Sequence, residues 1–233
     1  MNRRTPGLLA AAILAIAALF PAVAPAATAK KLNGTFLFSP GKFKKGKAGG
    51  TYFRMIQPGG TVKRGPFFAN PNSRAKDKTY TLLKAGIDGG LWSGRFQDPP
   101  DPAFAPNGFA LANRIMTPTL FAGIRFSLST AATDAQSGRK VGVPVIRAKG
   151  RKLTGDVRGF TASWNSIWFN QGAPKPAGNL PGRTRKVSGT YDPRTRRYTI
   201  TWVSQIVGGP FNDFSGYWHL QGKFRPGKYG KAG

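Results

Sequence analysis

The chain has 233 residues, and its 36 Lys and Arg residues face only eight acidic residues, all of them Asp. It contains no Cys, which excludes disulfides and thiolate metal sites, and the absence of Glu beside 31 Gly and 19 Pro argues against a helical protein. A formal net charge of +28 predicts attraction to polyanions.

The first 29 residues have the composition of a signal peptide. A basic start at Arg3 and Arg4 precedes the apolar run Leu8–Phe20, and Ala27-Thr28-Ala29 fits a small-x-small cleavage site. The apolar run is shorter than the ~20 residues needed to span a bilayer. We therefore predict that residues 1–29 are removed on export. The remaining residues, 30–233, then form a single all-β domain with a net charge of +26, from 34 basic and eight acidic residues.

Short strands separated by Gly and Pro turns follow one another through the first two thirds of this domain. Three segments lack a core pattern and are predicted to be loops: the basic Gly41–Gly50, the proline-rich Asp98–Asn107 and Gln171–Gly182. The predicted strands are Leu32–Phe38, Thr51–Gln57, Thr79–Leu83, Leu91–Phe96, Leu120–Leu128, Val141–Arg147 and Lys152–Val157.

The stretch Val187–Phe224 carries the strongest strand pattern in the chain. In its middle run, Tyr198, Ile200 and Trp202 alternate with polar or β-branched residues, which is the period-two pattern of a half-buried strand. Turns at residues 192–196 and 208–210 divide the stretch into three strands. We predict an antiparallel meander here. The fold class is therefore all-β, a single antiparallel β-sandwich or β-barrel with long Pro/Gly loops.

An apolar-x-Gly-x-apolar pattern recurs within the predicted strands. A glycine inside a strand forgoes packing, so its repeated use predicts close approach of another element or a strongly coiled strand. Simple abundance of Gly is the alternative explanation. The five central glycines are Gly34, Gly94, Gly155, Gly189 and Gly222.

The C-terminal segment SQIVGGPFN at Ser204–Asn212 continues as Phe214-x-Gly216-x-Trp218-His219-Leu220-x-Gly222. This segment resembles one found in functionally uncharacterised bacterial exported β-rich proteins. The resemblance implies an exported all-β protein and supplies no activity.

A run of aromatic and amide side chains is the candidate ligand-binding site. Trp164, Trp168, Asn170 and Gln171 combine rings for stacking with amides for hydrogen bonding, as a sugar or another planar ligand requires. On a continuous strand, Trp164, Ser166, Trp168 and Asn170 would share a face. The competing interpretation places both tryptophans in the core, with the amides capping a turn.

Catalytic and metal chemistry have little support in the sequence. His219 is the single His, and Asp213 is its nearest acid, but neither belongs to a nucleophile motif, so a structural His bonded to backbone is favoured over a general base. The Asp residues do not cluster at ligand spacing, and the Gly-rich turns do not precede a helix with a Lys. We predict no catalytic residue, cofactor or metal.

The basic residues are spread over several clusters, including Arg147–Lys152 and Arg194–Arg197, and many fall at turns. We expect them to decorate the ends of the sheet instead of forming one groove. The leading hypothesis is a secreted, non-enzymatic protein that associates electrostatically with anionic polymers of the cell envelope or extracellular matrix. A carbohydrate-binding β-sandwich using Trp164 and Trp168 is the first alternative, and a hydrolase using His219 is the second.

Overall fold

The structure, a computed structural model, describes Met1, residues 28–177 and residues 183–230. The predicted signal peptide lies mostly outside the described residues. The described part contains seventeen short strands and one 3₁₀ turn, Gly209–Phe211, and no α-helix. The strands are β1 Lys30–Leu32, β2 Gly34–Phe38, β3 Lys42–Lys44, β4 Lys47–Gly49, β5 Tyr52–Thr61, β6 Gly65–Phe67, β7 Thr81–Leu82, β8 Gly90–Ser93, β9 Thr119–Phe121, β10 Ile124–Thr130, β11 Val145–Lys149, β12 Lys152–Asp156, β13 Phe160–Trp164, β14 Ile167–Asn170, β15 Arg185–Tyr191, β16 Arg197–Gln205 and β17 Ser215–Pro226.

The larger sheet is antiparallel and nearly closes on itself, with the order β1-β11-β12-β15-β16-β17-β2-β8. Strand β17 is its longest strand. One of its edges pairs with β16 throughout, while the other pairs first with β5 and then with β2. The predicted meander is confirmed as β15, β16 and β17, and the all-β fold class is confirmed with it.

A second, four-stranded sheet with the order β14-β13-β10-β9 covers the inner face of the first. The two faces meet in an aromatic core. Phe160 of the smaller sheet packs edge-on against Trp202 and Trp218 of the larger one, with ring centroids 5.1 and 5.2 Å apart. Each of these rings is at most 2% exposed, so this contact is the centre of the fold. No helix among the described residues is long and apolar enough to cross a membrane.

Glycines within strands sit where neighbouring backbone leaves no room for a side chain. A Cβ at Gly222 would lie 1.8 Å from the carbonyl oxygen of Leu37, and one at Gly189 would lie 2.0 Å from that of Thr199. The predicted close approach is therefore present at these two positions of the repeated pattern.

Two local predictions are wrong because short turns were not recognised. Gly41–Gly50 is a β3–β4 hairpin, turned by Lys45 and Gly46 at positive φ. Leu120–Leu128 is divided into β9 and β10 by Ala122 and Gly123, also at positive φ. The predicted strand Thr51–Gln57 is longer than expected, since β5 runs from Tyr52 to Thr61.

Candidate polyanion-binding site

Three adjoining clefts, of about 600, 270 and 390 Å³, form a continuous depression at one end of the larger sheet. The first two clefts share Ser39 and Arg197, and the second and third share Arg151 and Asp192. Because the clefts share lining residues, we treat them as one feature and call it the basic groove. Its charged residues are Arg151, Arg194, Arg196, Arg197 and Lys223, with Asp192 as the one acid.

The β15–β16 turn that carries three of these arginines is held by its first residue. The Oδ1 atom of Asp192 accepts hydrogen bonds from the backbone N–H groups of Arg194, at 2.9 Å, and Thr195, at 3.4 Å. The bond from Arg194 is the main reason that the pKa of Asp192 lies below its ordinary value. The carboxylate is therefore hydrogen-bonded to the backbone, and the arginine side chains remain exposed around it.

Backbone hydrogen bonds bring the other two cations to this turn. The N–H of Tyr191 donates to the carbonyl oxygen of Arg151 at 2.8 Å, which joins the β11–β12 turn to β15. The N–H of Phe224 donates to the carbonyl oxygen of Arg196 at 2.8 Å, which joins β17 to the same turn. Lys223 is the register partner of Arg197. Clusters far apart in sequence thus meet, so the expectation that they form no groove is wrong for these two turns.

Only two salt bridges occur in the described part of the chain, Arg114–Asp88 and Arg158–Asp156, and neither lies in the groove. The five groove cations therefore have no carboxylate partner among the described residues. Like charges held close together repel each other, and an anionic ligand that displaces their counterions relieves this repulsion. The groove can accordingly bind phosphate, sulfate or carboxylate groups presented along a chain.

The two candidate tryptophans lie on opposite faces of the smaller sheet. Asn165 and Ser166 both adopt positive φ and form the two-residue turn between β13 and β14. Trp164 faces the core, where its Nε1–H donates to the carbonyl oxygen of Phe121 at 2.8 Å. Trp168 packs on Phe104 of the proline-rich loop. The predicted shared face of Trp164, Ser166, Trp168 and Asn170 is therefore wrong, because the turn reverses the chain between them.

The two candidate amides are buried parts of the scaffold. Asn170 donates from Nδ2 to Asp134 Oδ1 at 2.7 Å, and its backbone carbonyl oxygen accepts a hydrogen bond from the Lys175 ammonium at 2.6 Å. Burial lowers the pKa of Lys175 to about 8. Gln171 accepts from the Nε1–H of Trp218 at 3.1 Å. Both amides are at most 2% exposed, so the structure brings them together without presenting them to a ligand.

An apolar cavity of about 40 Å³ lies beside Trp164 and is lined mainly by aromatic rings, among them Phe53, Phe121, Phe126 and Phe211. A cavity that binds a benzene-sized molecule measures about 150 Å³. The space is therefore a packing gap beneath the 3₁₀ turn, too small for a sugar ring.

His219 is bonded to backbone, as the favoured interpretation predicts. Its Nδ1–H donates to the carbonyl oxygen of Gly50 at 2.9 Å, and its ring stacks on Tyr52 with centroids 4.4 Å apart. Burial lowers the pKa of His219. Asp213 contacts Gln205 and Asn212, not His219, so the described residues provide no His–Asp pair. The described residues also contain no group of three metal-ligating side chains.

Comparison with family models, with curated proteins and with solved structures finds no match. The site must therefore be interpreted from its own geometry. Sequence reasoning missed Arg151 and Lys223 as partners of the Arg194–Arg197 cluster. A usable signal was present for Lys223, because consecutive strands of the predicted meander bring the end of β17 beside the start of β16, whereas Arg151 reaches the turn only through the pairing of β12 with β15.

Proposed function

We propose that this protein is secreted and non-enzymatic, and that it associates electrostatically with anionic polymers of the cell envelope or extracellular matrix. The observation that carries the proposal is the basic groove, in which five cations converge around one carboxylate that is already bonded to backbone. A predicted mature charge of +26 adds a long-range field that speeds the approach of a polyanion.

A salt titration with two charge-matched variants tests the proposal. Binding to polygalacturonate, a carboxylate polymer, and to polyphosphate is measured by isothermal calorimetry between 50 and 200 mM NaCl. Since binding releases counterions, affinity should fall steeply with salt. The double variant Arg194→Ser/Arg196→Ser should bind more weakly and with a shallower salt dependence.

The control is Arg139→Ser/Lys140→Ser, which removes the same charge from two exposed residues outside the groove. We expect this variant to bind nearly as well as the parent protein. Equal weakening by both pairs would show that net charge acts without a groove. Affinity that does not change with salt would contradict the electrostatic mechanism itself.

A further inference from the structure

A cluster of tyrosines surrounds one arginine on the outer face of the larger sheet, at a distance from the basic groove. Tyr217 and His219 on β17 are register partners of Arg54 and Tyr52 on β5, and all four side chains are partly exposed. Tyr80 completes the group, with its ring centroid 5.1 Å from that of Tyr52. We call these five residues the tyrosine cluster.

The guanidinium of Arg54 is held without a salt bridge, although the Asp77 carboxylate is near enough to interact with its charge. The central carbon of the guanidinium lies 3.3 Å from the ring centroid of Phe67 and 4.0 Å from that of Tyr80, so two aromatic rings pack on it. Nη2 donates to Thr79 Oγ1 at 2.7 Å, whereas the buried Nε has no hydrogen-bond partner. Arg54 is therefore a firmly held cation whose buried Nε cannot reach a ligand, which leaves Nη1 as its donor toward the surface.

The tyrosine hydroxyls next to this cation are donors at any physiological pH. Burial raises the pKa of Tyr52, with the neighbouring Tyr217 hydroxyl adding to the effect, and burial also raises the pKa of Tyr217. The two hydroxyls also lie within hydrogen-bonding reach of each other, so one can donate to a carboxylate beside the guanidinium while the other donates to its neighbour.

Strand β17 connects this cluster to the basic groove. Tyr217, His219, Gln221 and Lys223 all point outward, alternating with the buried Trp218 and Leu220. Lys223 is six positions beyond Tyr217, which is about 20 Å along a strand. Between the two ends, the same face carries the hydroxyl groups of Thr199 and Thr201 and the amide of Gln221, whose Oε1 already accepts a hydrogen bond from the N–H of Gly50 at 2.7 Å.

These features favour a sugar polymer over a nucleic acid. Single-stranded nucleic acids are held largely by bases stacking on exposed aromatic faces. Here one face of Tyr52 is occupied by the ring of His219, at an angle of 8°, and one face of Tyr80 is occupied by Arg54. What remains is a row of hydroxyl and amide groups with a cationic site at each end. The row suits the hydroxyl groups of a sugar polymer, and the cationic sites suit its acid groups.

We propose that the tyrosine cluster is a second subsite for an anionic polysaccharide that lies along β17, with one carboxylate held by Arg54, Tyr52 and Tyr217 and others held in the basic groove. This inference depends on the proposed function, because the basic groove binds the other end of the same polysaccharide chain. Occupying both ends with one chain raises affinity, since the second contact is intramolecular.

Chain length separates the two sites experimentally. Binding of trigalacturonate and of an oligogalacturonate of about 15 residues is measured by calorimetry at fixed low salt. The test variant is Tyr52→Phe/Tyr217→Phe, which keeps both rings, and Tyr217→Phe alone is the milder version. Tyr229→Phe is the control, since it removes a hydroxyl from a tyrosine that contacts Trp92 and Arg95 instead.

We expect the double variant to bind the long oligomer about tenfold more weakly than the parent protein does, and the single variant about threefold more weakly. Trigalacturonate is too short to connect the two sites, so it should bind the parent protein and the double variant equally. Tyr229→Phe should match the parent with both oligomers. The melting temperature of each variant shows whether its fold is intact.

Two results would overturn the inference. If the hydroxyl variants bind the long oligomer as tightly as the parent, the second subsite does not exist, even if Arg194→Ser/Arg196→Ser still loses affinity and the proposed function stands. If a 15-residue oligothymidylate binds more tightly than the oligogalacturonate and shows the same tyrosine dependence, the ligand is a nucleic acid. If Arg194→Ser/Arg196→Ser also binds as tightly as the parent, the proposed function is contradicted.

Discussion

The single histidine makes the stability of the fold depend on pH. The pKa of His219 is lowered in the folded state, so the unfolded chain binds a proton more readily. The stabilising contribution of the neutral ring is fully present above the unfolded pKa of about 6.5 and is lost as pH falls through the folded pKa.

We therefore predict that the melting temperature decreases as pH falls below about 6.5, as followed by circular dichroism. The variant His219→Asn retains an N–H donor for the carbonyl oxygen of Gly50 and does not titrate. It should show a smaller decrease over the same range. An identical decrease in both proteins would assign the effect to other groups.

The two tryptophans of the β13–β14 hairpin are expected to differ in their effect on stability. Trp164→Ala removes a ring that lines the cavity and donates to Phe121, so it should lower the free energy of unfolding by about 3 kcal/mol. Trp168→Ala should cost less, because this ring lies on the face of the smaller sheet opposite Trp164, where it packs on Phe104 of the proline-rich loop.

Urea denaturation measures both values, and sugar binding by the same variants tests the alternative function. We expect neither substitution to change affinity for polygalacturonate. A Trp168→Ala protein that keeps its stability but no longer binds sugar would restore the carbohydrate-binding hypothesis.

At the scale of the element, the close pairing of β17 with β2 depends on a residue without a side chain. In Gly222→Ala the new Cβ would lie 1.8 Å from the Leu37 carbonyl oxygen, so the strands must separate. We predict a loss of about 2–3 kcal/mol in the free energy of unfolding, measured by urea denaturation.

Gly142→Ala is the matched control, since nothing lies within 4 Å of its Cβ position and its φ is not positive. This substitution should be neutral or stabilise by up to about 1 kcal/mol. Equal effects at both positions would mean that strand proximity is not the cause.

At the scale of the whole molecule, repulsion between basic residues opposes folding. The chain has 36 basic residues and eight acidic ones, and its described part has two salt bridges. Screening by added salt therefore removes much more repulsion than attraction. We predict that the melting temperature rises between 0.05 and 0.5 M NaCl.

Lys44→Glu provides a specific check of this effect. Lys44 and Lys47 are register partners in the β3–β4 hairpin, so the substitution replaces a cross-strand repulsion with an attraction. The variant should melt higher than the parent at low salt and gain less from added salt. A parent protein that is destabilised by NaCl would show that attractive pairs dominate.

Much of the architecture is determined by the sequence itself. Alternation at Tyr198, Ile200 and Trp202 and the breaks around residues 192–196 and 208–210 identified the meander, because these signals depend only on local backbone geometry. The all-β class follows from the same local rules. Turns made by residues other than Gly-Pro clusters, such as Asn165-Ser166, were missed because positive φ is uncommon for non-glycine residues and their identity alone does not mark a turn.

The location of the candidate sites was decided by the tertiary structure. Arg151 lies in a different hairpin from Arg197 and Lys223, and only the pairing of β12 with β15 brings all three into one groove. Arg54 and Tyr217 are more than 160 residues apart and become neighbours only through the β5–β17 register. The sequence determined how much charge the protein carries. Where that charge converges depends on contacts between distant strands, which local patterns do not encode.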